Sequence, residues 1–267
     1  MPLLRAGDKR RIADHGFTVL RDAVPESLRH EALRTINELL GRGIRGISPG
    51  CYSNEYWREI INHASILDLF YKSSLFRIAE QLLGQGKVAP VSESHILLRF
   101  PQRSKRGEEI EFHIDGILTS DDPDTAVIPS RLRGSIPSLK LGVIQRYTMQ
   151  FCVLLADVPS ENCGNFAVVP GSHRVAQKFI QERGVDALGR GLFSPAPQTP
   201  LQIRARAGDA VLCHYLTMQA GRDNFSPNIR YAVFFRVHHV DYLADPEAAL
   251  QDMWLEWPGL RRAQPVR

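Results

Sequence analysis

His113 and Asp115 stand two residues apart in the stretch FHIDG, residues 112–116. Side chains two apart on a strand share a face, so an imidazole and a carboxylate at this spacing can hold one metal ion from the same side. The pair alone is weak evidence, because acidic residues are common enough to follow a histidine at this distance by chance. Its surroundings add weight: it lies in a run that reads as a strand, EIEFHID, and opens into a long polar connection. Far downstream, LCHYLTMQAGRDNFSPNIR (212–230) carries His214, Gln219 and Arg230. An arginine is a planar, permanently charged fork suited to a carboxylate. The two stretches raise one question: which residue of the second completes a centre begun in the first.

The elements that must position these residues change character along the chain. The first 85 residues read as mostly helical. In PESLRHEALRTINELLGRG, Leu28, Ala32, Ile36, Leu39 and Leu40 recur at helical spacing, with Pro25 at the start and Gly41 at the end. In SSLFRIAEQLLGQG, Leu75, Ile78, Ala79 and Leu82 form one stripe that stops at Gly84. From about residue 88 short β-rich runs follow: VAPVSESHILLRF, EIEFHID, VIQRYTMQFCVLLADV, NFAVVPG, LQIRARAGDAVLCHYL and RYAVFFRVHHV. Helices do not alternate regularly with these strands, which argues against a doubly wound sheet or a TIM barrel. The reading is mainly β, a sandwich or barrel with flanking helices. It forms one domain over 1–267: helical support over 1–85, a β core over 86–242 and a C-terminal tail over 243–267, with Trp254 and Trp257 packed on the body. Residues 116–142 are long enough for a lid.

The chain has 267 residues, is 43% hydrophobic and 23% charged, and carries a net charge of +4. No apolar run reaches the roughly 20 residues that span a bilayer. The N-terminus, MPLLRAGDKRRIADHGF, breaks its apolar residues with charge, and the four cysteines have no C-x-x-C pairing. These features predict a cytoplasmic protein with reduced thiols, without membrane or nucleic-acid partners. Basic residues crowd the middle of the chain, among them Arg99, Arg103, Arg131 and Arg146, and read either as a solvated face or as a site for an anionic small substrate.

Between the two stretches lies ENCGNFAVVPGSHR (161–174), and near the N-terminus HGFTVLRDAVP (15–25). With HID and with AGDAVLCHYLTMQAGRDNFSPNIRYAVFFRV, these segments resemble the phytanoyl-CoA dioxygenase family of non-heme iron, 2-oxoglutarate-dependent oxygenases. The resemblance covers nearly the whole chain. It implies a double-stranded β-helix, a jelly roll related to the cupins. It also implies a hydroxylase or other oxidase using Fe(II), 2-oxoglutarate and molecular oxygen on a small organic substrate. His113 and Asp115 match the first two iron ligands, and Arg230 matches the arginine for the far carboxylate of 2-oxoglutarate.

The family's distal histidine ligand falls at Gln219, eleven residues before Arg230. An amide oxygen is a neutral donor better suited to harder ions than iron, so iron affinity should fall. His214 is the competing candidate, but residues five apart on an uninterrupted strand point to opposite faces. The metal set is therefore read as His113, Asp115 and Gln219, which leaves three accounts open: a working enzyme with an unusual centre, a natural member that lost activity, or an introduced histidine-to-glutamine substitution. A binding protein that keeps the pocket without turnover is the alternative function, and a cupin-like zinc or manganese protein a weaker one. His173 in PGSH reads as structural, and His95, His238 and His239 as core or surface residues. Thr148 and Gln150 share a strand face and either line the co-substrate pocket or fill the barrel. Oligomeric state and substrate identity are not legible in one sequence.

Overall fold

The computed structural model describes residues 3–43, 58–104, 112–114, 147–184, 187, 199–242 and 244–261. Its helices are α1 (Ala6–His15), α2 (Glu26–Gly41), α3 (Ala64–Tyr71), α4 (Leu75–Leu83), α5 (Ser172–Arg183), α6 (Pro246–Gln251) and α7 (Pro258–Arg261). Its strands are β1 (Phe17–Leu20), β2 (His95–Arg99), β3 (Met149–Leu154), β4 (Phe166–Val168), β5 (Leu201–Gln202), β6 (Ala210–His214), β7 (Gln219–Gly221) and β8 (Arg230–Val237). The helical readings hold where the apolar period is strong. In α2, Ala32, Ile36 and Leu39 are buried, and Pro25 immediately precedes its first residue. In α4, Leu75, Ile78, Ala79 and Leu82 are buried, and the helix stops at Gly84, whose φ of 109° is one that β-carbon-bearing residues avoid.

The strands form a five-stranded sheet in the order β1-β6-β3-β8-β2 and a three-stranded sheet in the order β5-β4-β7. Every pairing among them is antiparallel. The larger sheet is buried on both faces, and strand alternation sorts its side chains. Met149, Phe151 and Val153 of β3 and Val233, Phe235 and Val237 of β8 join the helices in one apolar cluster. The residues between them, Cys152, Leu154, Ala232 and Phe234, pack inward against Phe166 and Val168 of the smaller sheet. Helices therefore cover one face of the large sheet, and the small sheet covers the other.

Two strands escaped the sequence reading. β1 lies in the N-terminal segment read as mostly helical, yet it pairs with β6 from Phe17 opposite Cys213 to Leu20 opposite Ala210. With four residues between two helices, it is too short for its alternation to stand out. β7 has three residues, and pairing with β4 defines it. The C-terminal reading holds: Trp257 is fully buried and Trp254 packs against the same core. Among the described residues no helix is long and apolar enough to cross a membrane. Residues 116–142, read as a lid, lie outside the described residues.

Phe70 of α3 joins the helices to the sheet. Its ring centroid lies 5.9 Å from that of Phe151 and 5.6 Å from that of Phe235, and the residue is fully buried. Phe70→Ala should lower unfolding stability by about 3–5 kcal/mol, because it removes a fully buried ring and leaves a cavity against two strands. Guanidinium chloride unfolding checks this, as a lower midpoint with an unchanged slope.

Candidate active site

The inward row of the large sheet becomes polar at its ends. There His95, Leu97 and Arg99 of β2 and Arg230, Phe234 and Arg236 of β8 line a cavity of about 150 Å³. Gln150 of β3 and the β7 residues from Gln219 to Gly221 form further wall, and His113 closes one side. A larger groove of about 390 Å³ beside α1 and β1 contains none of these residues.

His113 and Gln219 face each other as an antiparallel bridge. The His113 N–H donates to the Gln219 carbonyl at 3.1 Å, and the Gln219 N–H donates to the His113 carbonyl at 2.9 Å. Directly opposed residues project to the same face, which is why two side chains about a hundred positions apart reach one cavity wall. Gln219 is buried and His113 exposed. The Gln219 amide oxygen accepts a 2.8 Å bond from Nε2 of buried Gln150, fixing the carboxamide. That oxygen has a second lone-pair direction beyond the one Gln150 uses. Asp115 lies outside the described residues.

Arg230 begins β8 opposite Arg99 of β2 and is 3% exposed. Its Nε donates to the Gly164 carbonyl at 2.7 Å and its Nη1 to the Leu97 carbonyl at 2.9 Å. Burial pulls its pKa down to about 10, the nearby Cys152 thiol opposes that fall and the Arg99 charge adds to it. The guanidinium therefore stays charged at neutral pH. Burial in turn pushes the Cys152 thiol up to about 12, so that cysteine is not a nucleophile.

His214 points away from the cavity. Its Nε2 donates to the Met253 carbonyl at 3.0 Å and its Nδ1 accepts from the Leu216 N–H at 3.2 Å, among the rings of Trp254 and Trp257. The sequence argument placed it on the opposite face from Gln219, which holds for a different reason. The strand is interrupted between them, with β6 ending at His214 and β7 beginning at Gln219. Alternation within β6 already puts His214 on the helix side with Ala210 and Leu212.

The PGSH segment is structural, as read, and supports the site. Ser172 Oγ accepts from the Met218 N–H at 2.9 Å, immediately before Gln219. His173 Nε2 donates to the Ala13 carbonyl at 3.2 Å, linking α5 to α1. Gly16, at φ 81°, passes so close that a β-carbon there would lie 2.7 Å from His173 Nδ1. The sequence reading also missed His95 as a cavity residue, because a lone histidine on a strand carries no spacing signal. It put Thr148 and Gln150 on one face, but only Gln150 lines the cavity; Thr148 Oγ1 donates to Glu256 at 2.7 Å instead.

No family model matches this sequence, and no curated protein matches it. Solved structures do match in fold. The non-heme alpha-ketoglutarate-dependent carbocyclase SnoK from nogalamycin biosynthesis superposes with a TM-score of 0.58 at 20% identity, covering 88% of this chain and 83% of that one. HygX from Streptomyces hygroscopicus, solved with nickel and 2-oxoglutarate, gives 0.55 at 17% identity over 89% of this chain and 88% of its own. EctD from S. alaskensis, solved with 2-oxoglutarate and 5-hydroxyectoine, gives 0.54 at 16% identity over 89% and 77%. The chain thus shares the jelly-roll fold of these solved structures, the fold expected from the sequence.

Burial holds the His173 ring neutral, its pKa falling from 6.5 to about 4, and Nδ1 has no hydrogen-bond partner among the described residues. Below pH 6.5 the unfolded chain takes up a proton that the folded chain refuses until about pH 4. Stability should therefore fall progressively across that window, by up to roughly 3 kcal/mol from this group. Thermal unfolding at pH 7, 5.5 and 4.5 checks it: His173→Gln should show a visibly shallower decline than the unmodified chain.

Proposed function

We propose that this chain is an Fe(II)- and 2-oxoglutarate-dependent oxygenase acting on a small organic substrate, with Gln219 in the place of the usual distal histidine. The observation that carries the reading is the His113–Gln219 bridge on the wall of a cavity that also contains buried Arg230. The donor chemistry fits both groups. Imidazole suits iron, and an amide oxygen is a weaker but competent neutral donor. The far end of a dicarboxylate suits a buried guanidinium whose wall, among the described residues, includes no carboxylate.

In this reading His113, Asp115 and Gln219 hold Fe(II), and Arg230 binds the far carboxylate of 2-oxoglutarate. When bound, iron and 2-oxoglutarate supply the oxidising chemistry, in which molecular oxygen converts the co-substrate to succinate and carbon dioxide and oxidises a substrate C–H bond. This chain's part is position and dryness. Gln150 keeps the Gln219 carboxamide in one orientation. Leu97, Phe166 and Phe234 present apolar surface that excludes water from the reacting groups. HygX has been solved with hygromycin B bound and EctD with 5-hydroxyectoine, and SnoK is a carbocyclase from nogalamycin biosynthesis, which supports a small-molecule substrate here.

One observation favours a second reading, a family-like protein that binds metal or 2-oxoglutarate without turnover. Gln219 is a neutral amide whose oxygen is already engaged by Gln150, so its hold on iron is weaker than an imidazole's. Anaerobic titration of the metal-free protein with Fe(II) and 2-oxoglutarate separates the two through the visible charge-transfer band of the chelate. We expect the band in the unmodified chain and in Gln219→His, with Fe(II) binding at least about tenfold tighter in the variant. A band in the variant alone would establish a disabled centre, and a band in neither would remove the ligand assignment.

A further inference from the structure

We infer that Arg99 is a second arginine for the far carboxylate of the co-substrate, acting with Arg230 so that the deep end of the cavity selects a dicarboxylic 2-oxo acid. This rests on the proposed function and deepens it, because the sequence places Arg99 only within a basic group, either a solvated face or a site for an anionic small substrate, and the fold assigns it no role.

Arg99 and Arg230 sit directly opposite each other across β2 and β8. Two like charges at such a pair repel, and strands ordinarily avoid the arrangement. Here both side chains line the same cavity. Two glycines make this possible. A β-carbon on Gly164 would fall 2.8 Å from Cβ of Arg99 and 3.0 Å from Cβ of Arg230, so both side chains leave their strands past one bare backbone position. A β-carbon on Gly221 would collide with Arg99 Nη2 and lie 3.1 Å from its Cζ, so the guanidinium rests on the Gly221 backbone. Asn224 Nδ2 donates to the Arg99 carbonyl at 2.8 Å and fixes the end of β2.

Gly221 is two residues beyond Gln219 on β7, roughly 7 Å along the strand and on the same face. The Arg99 head therefore lies one side-chain repeat from the Gln219 end of the cavity. A five-carbon diacid with its 2-oxo end at Gln219 and His113 would present its other carboxylate between the two guanidinium groups. Its two oxygens offer about four acceptor positions, enough for both forks. A ligand bearing a negative charge at that end is attracted by both guanidinium groups. A 2-oxo acid of the same chain length without the second carboxylate, 2-oxopentanoate, gains nothing from either arginine.

The test is calorimetry of the full chain with saturating Ni(II), titrated with 2-oxoglutarate and with 2-oxopentanoate, for the unmodified protein, Arg99→Met, Arg230→Met and Gly221→Ala. We expect the unmodified chain to prefer 2-oxoglutarate. Arg99→Met should weaken 2-oxoglutarate binding about ten- to a hundredfold and leave 2-oxopentanoate unchanged. Gly221→Ala, which displaces the guanidinium without removing it, should weaken 2-oxoglutarate in the same direction by a smaller factor. If Arg99→Met is too unstable to titrate, Gly221→Ala decides alone. Unaltered 2-oxoglutarate affinity in the Arg99 and Gly221 variants, with a loss in Arg230→Met, would overturn the role of Arg99 and leave the proposed function standing. An unmodified chain that binds neither acid, or does not distinguish them, would overturn both.

Discussion

The two-sided burial of the five-stranded sheet is the constraint on which the rest of the molecule depends. A strand covered on both faces must sort its side chains by alternation, and β3 and β8 send every second residue toward the helices. The other row faces the smaller sheet, and apolar packing fills only its middle. Its ends are where polar groups can enter without breaking the core. Gln150 extends the inward row of β3, and Arg230 and Arg236 bracket that of β8. The site is thus made of the residues that this alternation leaves facing inward beyond the apolar plug.

Placing charge there carries a cost that the surrounding backbone offsets. Arg230 is buried beside a thiol and another arginine, and two carbonyls, from Gly164 and Leu97, hold its guanidinium. Buried donors need partners, and here strand backbone supplies them, so the charge is fixed in place before any ligand arrives. This arrangement presents a positive charge to the cavity in one fixed orientation. The same economy of backbone governs Gln219, whose main chain pairs with His113 while its side chain is steadied by Gln150.

Much of the rest serves to position the three residues before β7. Ser172 Oγ accepts from the Met218 N–H, Thr217 Oγ1 donates to the Gly16 carbonyl at 3.0 Å, and His214 Nδ1 accepts from the Leu216 N–H while its Nε2 donates to the Met253 carbonyl. The Asp209 carboxylate, buried at the start of β6, accepts from Arg21 and from the Asp22 and Arg206 N–H groups. His173, read as structural, and His214, the competing ligand candidate, are therefore fasteners of the strands that bear the cavity wall.

From the sequence alone, α2 and α4, most of the inward-facing strands and the neighbourhood of His113, Gln219 and Arg230 were legible. The helices and strands are written in local periods that follow from backbone geometry, and the grouping of His113, Gln219 and Arg230 was implied by the family resemblance of their segments. The His113–Gln219 bridge, the opposition of Arg99 to Arg230 and the participation of His95 were not. Each depends on the register between segments far apart in the chain, and register is set by which faces must be buried when the sheets close. β1 and β7 were missed for the same reason, since strands of three or four residues are defined by their partners rather than by their own pattern. The residue types at the site were thus determined by the sequence, while their meeting in one cavity was decided by the pairing of strands.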